Sequence, residues 1–288
     1  MPLSAAEKIQ VLIVDGQNNH DWKSTTPHMK KVLEECGLFS VAVATTPPRP
    51  GGKASKEEQD KYKEAMAAFK PEFAKYDVVL SNYNGDSWPE ETRKALERYV
   101  STGKGGLVIV HAANNSFTNW AEYNDMIAMG WRGSGFGDRL TLDESGKEKL
   151  VAKGQGPGAG HGRMHPFRVT IRNAKHPITE GMPSEWMHAS DELYHGMRGP
   201  AKNVTLLATA HSDKATGGTG EHEPMIWTVT YGQGRVFHTP MGHDLGAMRC
   251  KGFIATLQRG TEWAATGRVT QPLPMDFPTA KETRSLGK

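Results

Sequence analysis

Several of the chain's twelve histidines stand beside carboxylates or close apolar runs, positions where an imidazole can move a proton or bind a metal. The run GLVIV, residues 106–110, ends in His111, followed by Ala112, Ala113, Asn114 and Asn115. A tight turn from a strand into a helix is where a hydrolase or amidotransferase carries its nucleophile. Histidine there forms neither the ester nor the thioester, GxSxG is absent, and neither Cys36 nor Cys250 takes its place. The position suits a general acid or base, or a metal ligand; a histidine satisfied by backbone partners is the plain alternative.

Four other stretches carry comparable chemistry. HASDELYHG holds Asp191, Glu192, Tyr194 and His195; one carboxylate could transfer protons while the other caps or orients, although a solvated acidic turn has the same composition. Met241-Gly242-His243-Asp244 places a histidine and a carboxylate just past an apolar run. In HGRMH, His161 and His165 have the spacing of a helical metal pair, but Gly162 and Pro166 argue against a helix. His165, which enters a strand, is the stronger candidate. Asn18-Asn19-His20-Asp21-Trp22 offers amides for hydroxyl groups and a flat indole for the C–H face of a sugar ring, though Asn and Asp also favour turns for backbone reasons. Glu221-His222-Glu223-Pro224 leads into a strand and faces either the cleft or solvent. His28, His176, His188, His195, His211 and His238 are expected to be structural.

These residues need a scaffold that gathers them. Residues 9–14, 39–45, 76–81 and 106–110 are short apolar runs of the kind buried on both faces of a parallel sheet. Helical patterns lie between them, at residues 26–35, 53–70 and from a capping box at Ser87 and Glu90 to Gly103. The alternation predicts an α/β fold with a doubly wound, mostly parallel sheet of flavodoxin-like type. In such sheets the residues after each strand share a ligand-binding rim. The second half adds an antiparallel section: strands at 167–171, 204–210 and 224–230, a hairpin through Gly232-Gln233-Gly234 into residues 235–239, and a closing helix at 252–265. The Gly-rich stretch 133–162 reads as a long loop near the site. One domain over residues 1–266 and a tail over 267–288, wrapped on the surface or mobile, complete the expectation.

Composition narrows the field further. Thirty-five basic against 32 acidic residues leave a net charge of +3 with no basic stripe, so nucleic-acid binding is not indicated. Two distant cysteines support neither a cysteine zinc cluster nor a disulfide framework. No run of about 18 apolar residues predicts a membrane span. The opening MPLSAAEKIQ lacks the pattern of an export signal, but Ser4, Ala5 and Ala6 fit the stub of a trimmed one; cytoplasmic and periplasmic settings both stay open.

The segments VLIVDGQNNHDW, GLVIVHAANNSF, HPFRVTIRNAKHPITEGMP, DELYHG and GQGRVFHTPMGHD, taken in order, resemble the ThuA-like family named from trehalose utilisation, over about residues 9–265. The resemblance implies a class I glutamine amidotransferase-like fold without that superfamily's cysteine. It also implies a role in carbohydrate catabolism, often beside oxidoreductases that make 3-keto-sugars. By position, His20, His111, His165, Glu192 and His243 correspond to the family's recurrent polar residues. The Gly-rich stretch and the HEPM segment look like a branch elaboration.

The leading expectation is therefore an enzyme that isomerises, eliminates from or hydrolyses a glycoside or 3-keto-sugar, with His111 and Glu192 transferring protons. Asn18, His20, Asn84, Asn114, Trp131, Tyr194 and Asp244 would bind the small carbohydrate. A divalent metal such as zinc would use His20, His165 and His243, and no nucleotide cofactor is evident. Two rivals stand beside it: a non-catalytic sugar-binding or partner subunit of a sugar dehydrogenase, and a metal-dependent hydrolase of a non-sugar substrate. Self-association into a homo-oligomer is left open.

Overall fold

A computed structural model describes residues 7–143 and 145–287; Ser4, Ala5 and Ala6, which fit a trimmed signal, lie outside them. The first half alternates as expected: β1 (Ile9–Asp15), α1 (Trp22–Glu35), β2 (Phe39–Thr45), α2 (Lys56–Ala67), β3 (Val78–Ser81), α3 (Glu90–Ser101), β4 (Gly106–Val110) and α4 (Ala121–Ile127). Strands β5 (Arg139–Leu142), β6 (Glu148–Val151), β7 (Gly160–His161), β8 (His165–Ile171), β9 (Glu185–Asp191), β10 (Tyr194–His195), β11 (Val204–His211), β12 (His222–Tyr231) and β13 (Gly234–Thr239) follow, then α5 (Leu245–Met248) and α6 (Lys251–Thr266).

Nine of the described strands form one sheet in the order β2-β1-β3-β4-β13-β12-β11-β8-β9. Strands β2 to β13 pair in parallel and the remainder antiparallel, giving the expected α/β sheet with an antiparallel section in its second half. The strands are apolar on both sides because each side is covered. Val11 and Ile13 of β1 and Val108 and Val110 of β4 join Met29, Leu33, Phe253 and Leu257 of α1 and α6 in one core. Leu12, Val14, Leu107 and Ile109 join Met66, Leu96, Tyr99 and Met126 of α2, α3 and α4 in the other. The period-2 alternation of a strand thus feeds two cores at once.

Direction along this sheet decides where the chemistry collects. β1, β3, β4 and β13 all point the same way, so the loops after Asp15, Ser81, Val110 and Thr239 emerge at one edge. From β13 the order runs through β12, β11 and β8 to β9, four successive reversals. An even number of reversals brings the end of β9, Asp191, back to that same edge.

Three local expectations need correction. The serine-glutamate capping box is built at Ser55 and Glu58, before α2; α3 instead starts after Pro89, which makes no side-chain cap, because a proline two residues after Ser87 fixes the approach in extended backbone. The Gly-rich stretch is not a plain loop: β5 and β6 pair as a hairpin, and β7 pairs with β10. β9 was hidden by the polar composition of its end. The tail from Gly267 lies against the body, with Phe277 packed on Trp186 and Leu286 N–H donating to the Arg249 carbonyl. None of the described helices is long and apolar enough to cross a membrane.

Gly106 opens the strand that carries His111, and a β-carbon there would run into the Ala264 carbonyl of α6. Gly106→Ala should cost about 1–3 kcal/mol of stability, read as a lower urea midpoint; an unchanged midpoint would show that β4 and α6 separate more easily than this packing implies.

Candidate active site

His111 stands at the junction of β4 with a short 3₁₀ turn, His111–Asn115, and holds φ at +46°. That left-handed backbone is uncommon for a residue with a side chain and turns the imidazole into the cleft. Its Nδ1 lies 2.7 Å from the Pro240 carbonyl, an arrangement that places the proton on Nδ1 and leaves the Nε2 lone pair facing inward. Tyr194 Oη lies 3.0 Å from that Nε2 and donates to it.

An oxygen atom at Nδ1 recurs in two of the neighbouring rings, His20 and His161. In the loop after β1, Asn18 Oδ1 accepts from the His20 backbone N–H at 3.0 Å and lies 3.2 Å from its Nδ1. Asn18 is itself tied to Asn82, whose amide reaches the Thr25 and Thr26 hydroxyls. His161 Nδ1 is 2.6 Å from the Gly162 carbonyl. His243 Nδ1 is buried without a hydrogen-bond partner and faces the Asp244 carboxylate at 3.7 Å. In each case the Nε2 atom is the one turned inward.

All four Nε2 atoms converge on Glu192. His243 lies 3.3 Å from its carboxylate, His161 3.4 Å, His111 3.7 Å and His20 4.0 Å. The rings of His20, His111 and His243 are mutually near-perpendicular, with centroids 4.7, 4.7 and 5.5 Å apart. One nitrogen each from His20 and His111 and a Glu192 oxygen lie within 4.8 Å of one another, close enough to share an ion. Burial, the largest cause, pushes His20 down to about 4 and His111 to about 3, so both are neutral at physiological pH. Burial raises the Glu192 carboxyl, opposed by His243 and His161 and reinforced by Asp191.

What aligns these loops is Asp191, which is fully buried. Its carboxylate accepts the backbone N–H groups of Glu192 (2.8 Å), Gly242 (2.7 Å) and His243 (3.1 Å), and pairs with His188 Nε2 at 2.8 Å. Burial alone would depress the His188 imidazole; the bond to Asp191, helped by the nearby Cys250, outweighs it and lifts His188 to about 9. Burial alone would raise Asp191, but the bond and charge of His188 hold it below the usual carboxylate range. A buried imidazolium–carboxylate pair therefore fixes two site loops from behind.

The structure brings together His20, His111, Glu192, Tyr194 and His243 from the sequence expectations, with Trp131 packed edge-on against Tyr194 at 4.6 Å. His165 is a correction. Its Nδ1 bonds the Arg163 carbonyl and its ring lies on Phe167, while His161, carried by the two-residue pairing of β7 with β10, stands at Glu192 instead. Asn114 is also corrected: it is fully buried, and its amide engages the Trp131 N–H, His238 and Met197, leaving nothing for a ligand. Asp244 Oδ1 caps α5 through the Ala247 N–H. Asn18 orients His20, and Asn84 bonds Asn19 on the adjoining rim. Glu223, at the start of β12, is buried on Arg139 rather than in the cleft. Of the two carboxylates in HASDELYHG, Asp191 is the one that orients and Glu192 the one that faces the site; His188, expected to be structural, is the residue whose part in forming the site was missed, and its only signal was the three-residue spacing from Asp191.

The model of the ThuA family, described as trehalose utilisation, matches residues 10–264. A ThuA-like protein of known structure from Parabacteroides merdae is 42% identical, with a TM-score of 0.88 over 97% of this chain and 98% of its own. A second ThuA-like protein, from Bacteroides uniformis, is 17% identical, with a TM-score of 0.57 over 94% of this chain and 97% of its own, a likeness of fold alone. No curated protein matches the chain.

The His188–Asp191 pair sets the dependence of stability on pH. His188 is raised from 6.5 to about 9, so its contribution is full below about pH 6.5 and is lost as pH rises through 9. His20 and His111 are depressed when folded, so below about pH 6.5 protonation favours the unfolded chain. Stability should therefore peak near pH 6.5. Asp191→Asn should lower it by about 3–5 kcal/mol and remove the alkaline decline; urea midpoints across pH 5–10 read both, and a decline that persists in the variant would assign it to another group.

Proposed function

The chain belongs to the ThuA family, and from that premise we propose that it processes a carbohydrate, a glycoside or keto-sugar, by proton transfer at Glu192 assisted by a divalent cation held by His20, His111 and His243. The support is one observation: four imidazole Nε2 atoms meet one carboxylate at 3.3–4.0 Å. Of the polar groups described around them, only the Tyr194 hydroxyl donates inward. Imidazole nitrogens gathered this way are a donor set of a zinc- or manganese-type site, and the carboxylate stands beside them. Of the three proposed ligands, His20 and His111 have their outer nitrogens held by oxygen atoms, as such ligands require.

When bound, a divalent ion polarises a substrate carbonyl or hydroxyl oxygen. The protein's own groups do the rest. Glu192, whose proton affinity burial increases, is suited to take a proton from a carbon beside a carbonyl and to return it. Returned to the neighbouring carbon, while the hydroxyl proton of the carbon it left passes to the old carbonyl oxygen, the proton completes an isomerisation; delivered to a departing glycosidic oxygen, it completes an elimination; taken from water instead, as the water oxygen bonds to the sugar carbon and the proton goes to the departing glycosidic oxygen, it completes a hydrolysis. Tyr194, kept protonated by burial and by the nearby carboxylates, can donate to a substrate oxygen. Trp131 packs edge-on beside it. His111 changes role from the sequence expectation: an imidazole with a pKa of about 3 is too weak a base for proton transfer and serves as a neutral ligand. His161 Nε2 lies 3.4 Å from the same carboxylate oxygen that His243 approaches.

Incubation with trehalose and with its 3-keto derivative, with and without a chelator, tests the proposal. The keto-sugar should be consumed, the chelator should stop the reaction, and added zinc or manganese should restore it. Glu192→Gln should lower kcat by about 10²–10⁴-fold while the metal still binds; His20→Ala should lose the metal in a calorimetric titration. Binding of a sugar with no turnover would make the protein a sugar-binding module. Chelator-sensitive turnover of an ester or amide, with neither sugar altered, would make it a hydrolase of another class.

A further inference from the structure

Next to the histidine cluster, the same sheet edge carries a groove of about 500 Å³, lined by Asn18, Asn19, Trp22, Lys23, Arg49 and Asn84. We propose that this groove is a second subsite, which binds a neutral sugar ring adjoining the one that reacts at Glu192. It rests on the carbohydrate reading above and narrows it: the substrate is a disaccharide-like glycoside, not a free monosaccharide.

The groove is built before any ligand arrives. Gln17, in its floor, donates to the Tyr62 hydroxyl and the Pro47 carbonyl, both at 2.9 Å, and accepts the Asp86 N–H at 3.0 Å. No part of that amide is left over, so it acts as a fixed wall. At Gly85 a β-carbon would collide with the Gln17 side chain; the bare backbone lets the chain pass close to the floor and keeps the groove open. Asp86 accepts Arg49 through Nε at 3.1 Å and Nη2 at 2.6 Å and takes the Tyr62 hydroxyl at 2.5 Å. Arg49 thus has its charge balanced.

The wall chemistry is that of a polyol site. Asn84 Nδ2 donates to Asn19 Oδ1 at 2.5 Å, which leaves the Asn19 Nδ2 and the Asn84 Oδ1, one donor group and one acceptor, available to hydroxyls. Trp22 supplies a flat apolar surface, with the Lys23 ammonium 5.8 Å from its ring centroid. With Arg49 paired, Lys23 is the single unbalanced charge among the groove residues named, so the lining favours a neutral ring over a phosphate. The volume falls in the range of small-molecule clefts, about 300–1000 Å³.

Continuity with the reaction centre comes through two residues. Asn18 lines the groove and fixes the His20 ring, while the Trp22 N–H donates to the His20 carbonyl at 2.8 Å. A ligand with one ring at Glu192 meets Trp22 and Asn84 with its next.

Calorimetric titration of the native protein, Trp22→Ala, Trp22→Phe and Asn84→Ala with a panel of neutral disaccharides, trehalose included, and the matching methyl monosaccharides provides the test. The native protein should bind at least one disaccharide more tightly than its methyl monosaccharide. Trp22→Ala should weaken that disaccharide about tenfold and leave the monosaccharide unchanged; Trp22→Phe should restore most of the loss. In turnover of the keto-disaccharide, the same variant should raise KM with little change in kcat. Equal weakening of both sugars, no preference for any disaccharide, or tighter binding of a phosphorylated sugar would overturn the subsite. A Trp22-dependent preference for disaccharides in a protein that turns none of them over would leave the subsite standing and sink the reaction instead.

Discussion

One buried carboxylate decides whether the site exists. Asp191 ends β9, four strands away from β13, yet its two oxygens hold the backbone of Glu192 on its own strand end and of Gly242 and His243 on the other. Charge-assisted bonds of this kind are about twice as strong as neutral ones, and His188 makes the buried charge tolerable by carrying the opposite sign. The pairing is costly to place in a core and useful there for geometry: it converts two loops that could move independently into one rigid frame. His111 is fixed separately, by its positive φ and by the Pro240 carbonyl, and that carbonyl belongs to the same segment that Asp191 restrains two residues further on.

The parallel half of the fold was legible because its signals are local. Apolar runs with helical stretches between them predict their own direction, and the rule that strand ends share a rim placed His20 and His111 together before any coordinates. His243 followed from a strand end as well, since Gly232-Gln233-Gly234 marks a hairpin and hence the direction of β13. What escaped the sequence is non-local. His161 reaches Glu192 through two-residue strands, β7 and β10, whose pairing has no periodicity to detect, whereas His165 looked better only because a strand follows it. Asp191 and Glu192 are adjacent and chemically alike; which of them faces the core depends on how β9 leaves the sheet, and composition says nothing of that. Asn114 failed for a related reason, since a buried amide and a ligand-binding amide are the same residue until their partners are known.

The helix starts show the same limit at short range. Ser55 and Ser87 each precede a glutamate by three residues, and the reciprocal bonds form only at the first. The pattern is necessary for a capping box but the serine must also have free backbone after it; Pro89 denies that at the second.

The location of His111 links the fold to the kind of chemistry it can support. On this scaffold the turn after β4 presents one side chain to the cleft at the expense of backbone strain. A cysteine or serine there would serve as a nucleophile. A neutral imidazole, desolvated and with its Nδ1 proton committed to a carbonyl, can only offer a lone pair, and it does so beside two other rings arranged at right angles to it and a carboxylate whose proton affinity burial has increased. Lone pairs crowded in this way repel one another unless a cation or protons lie between them. Protons are disfavoured on His20 and His111 by burial; the function proposed above would supply that positive charge as a divalent cation and leave the proton exchange to Glu192.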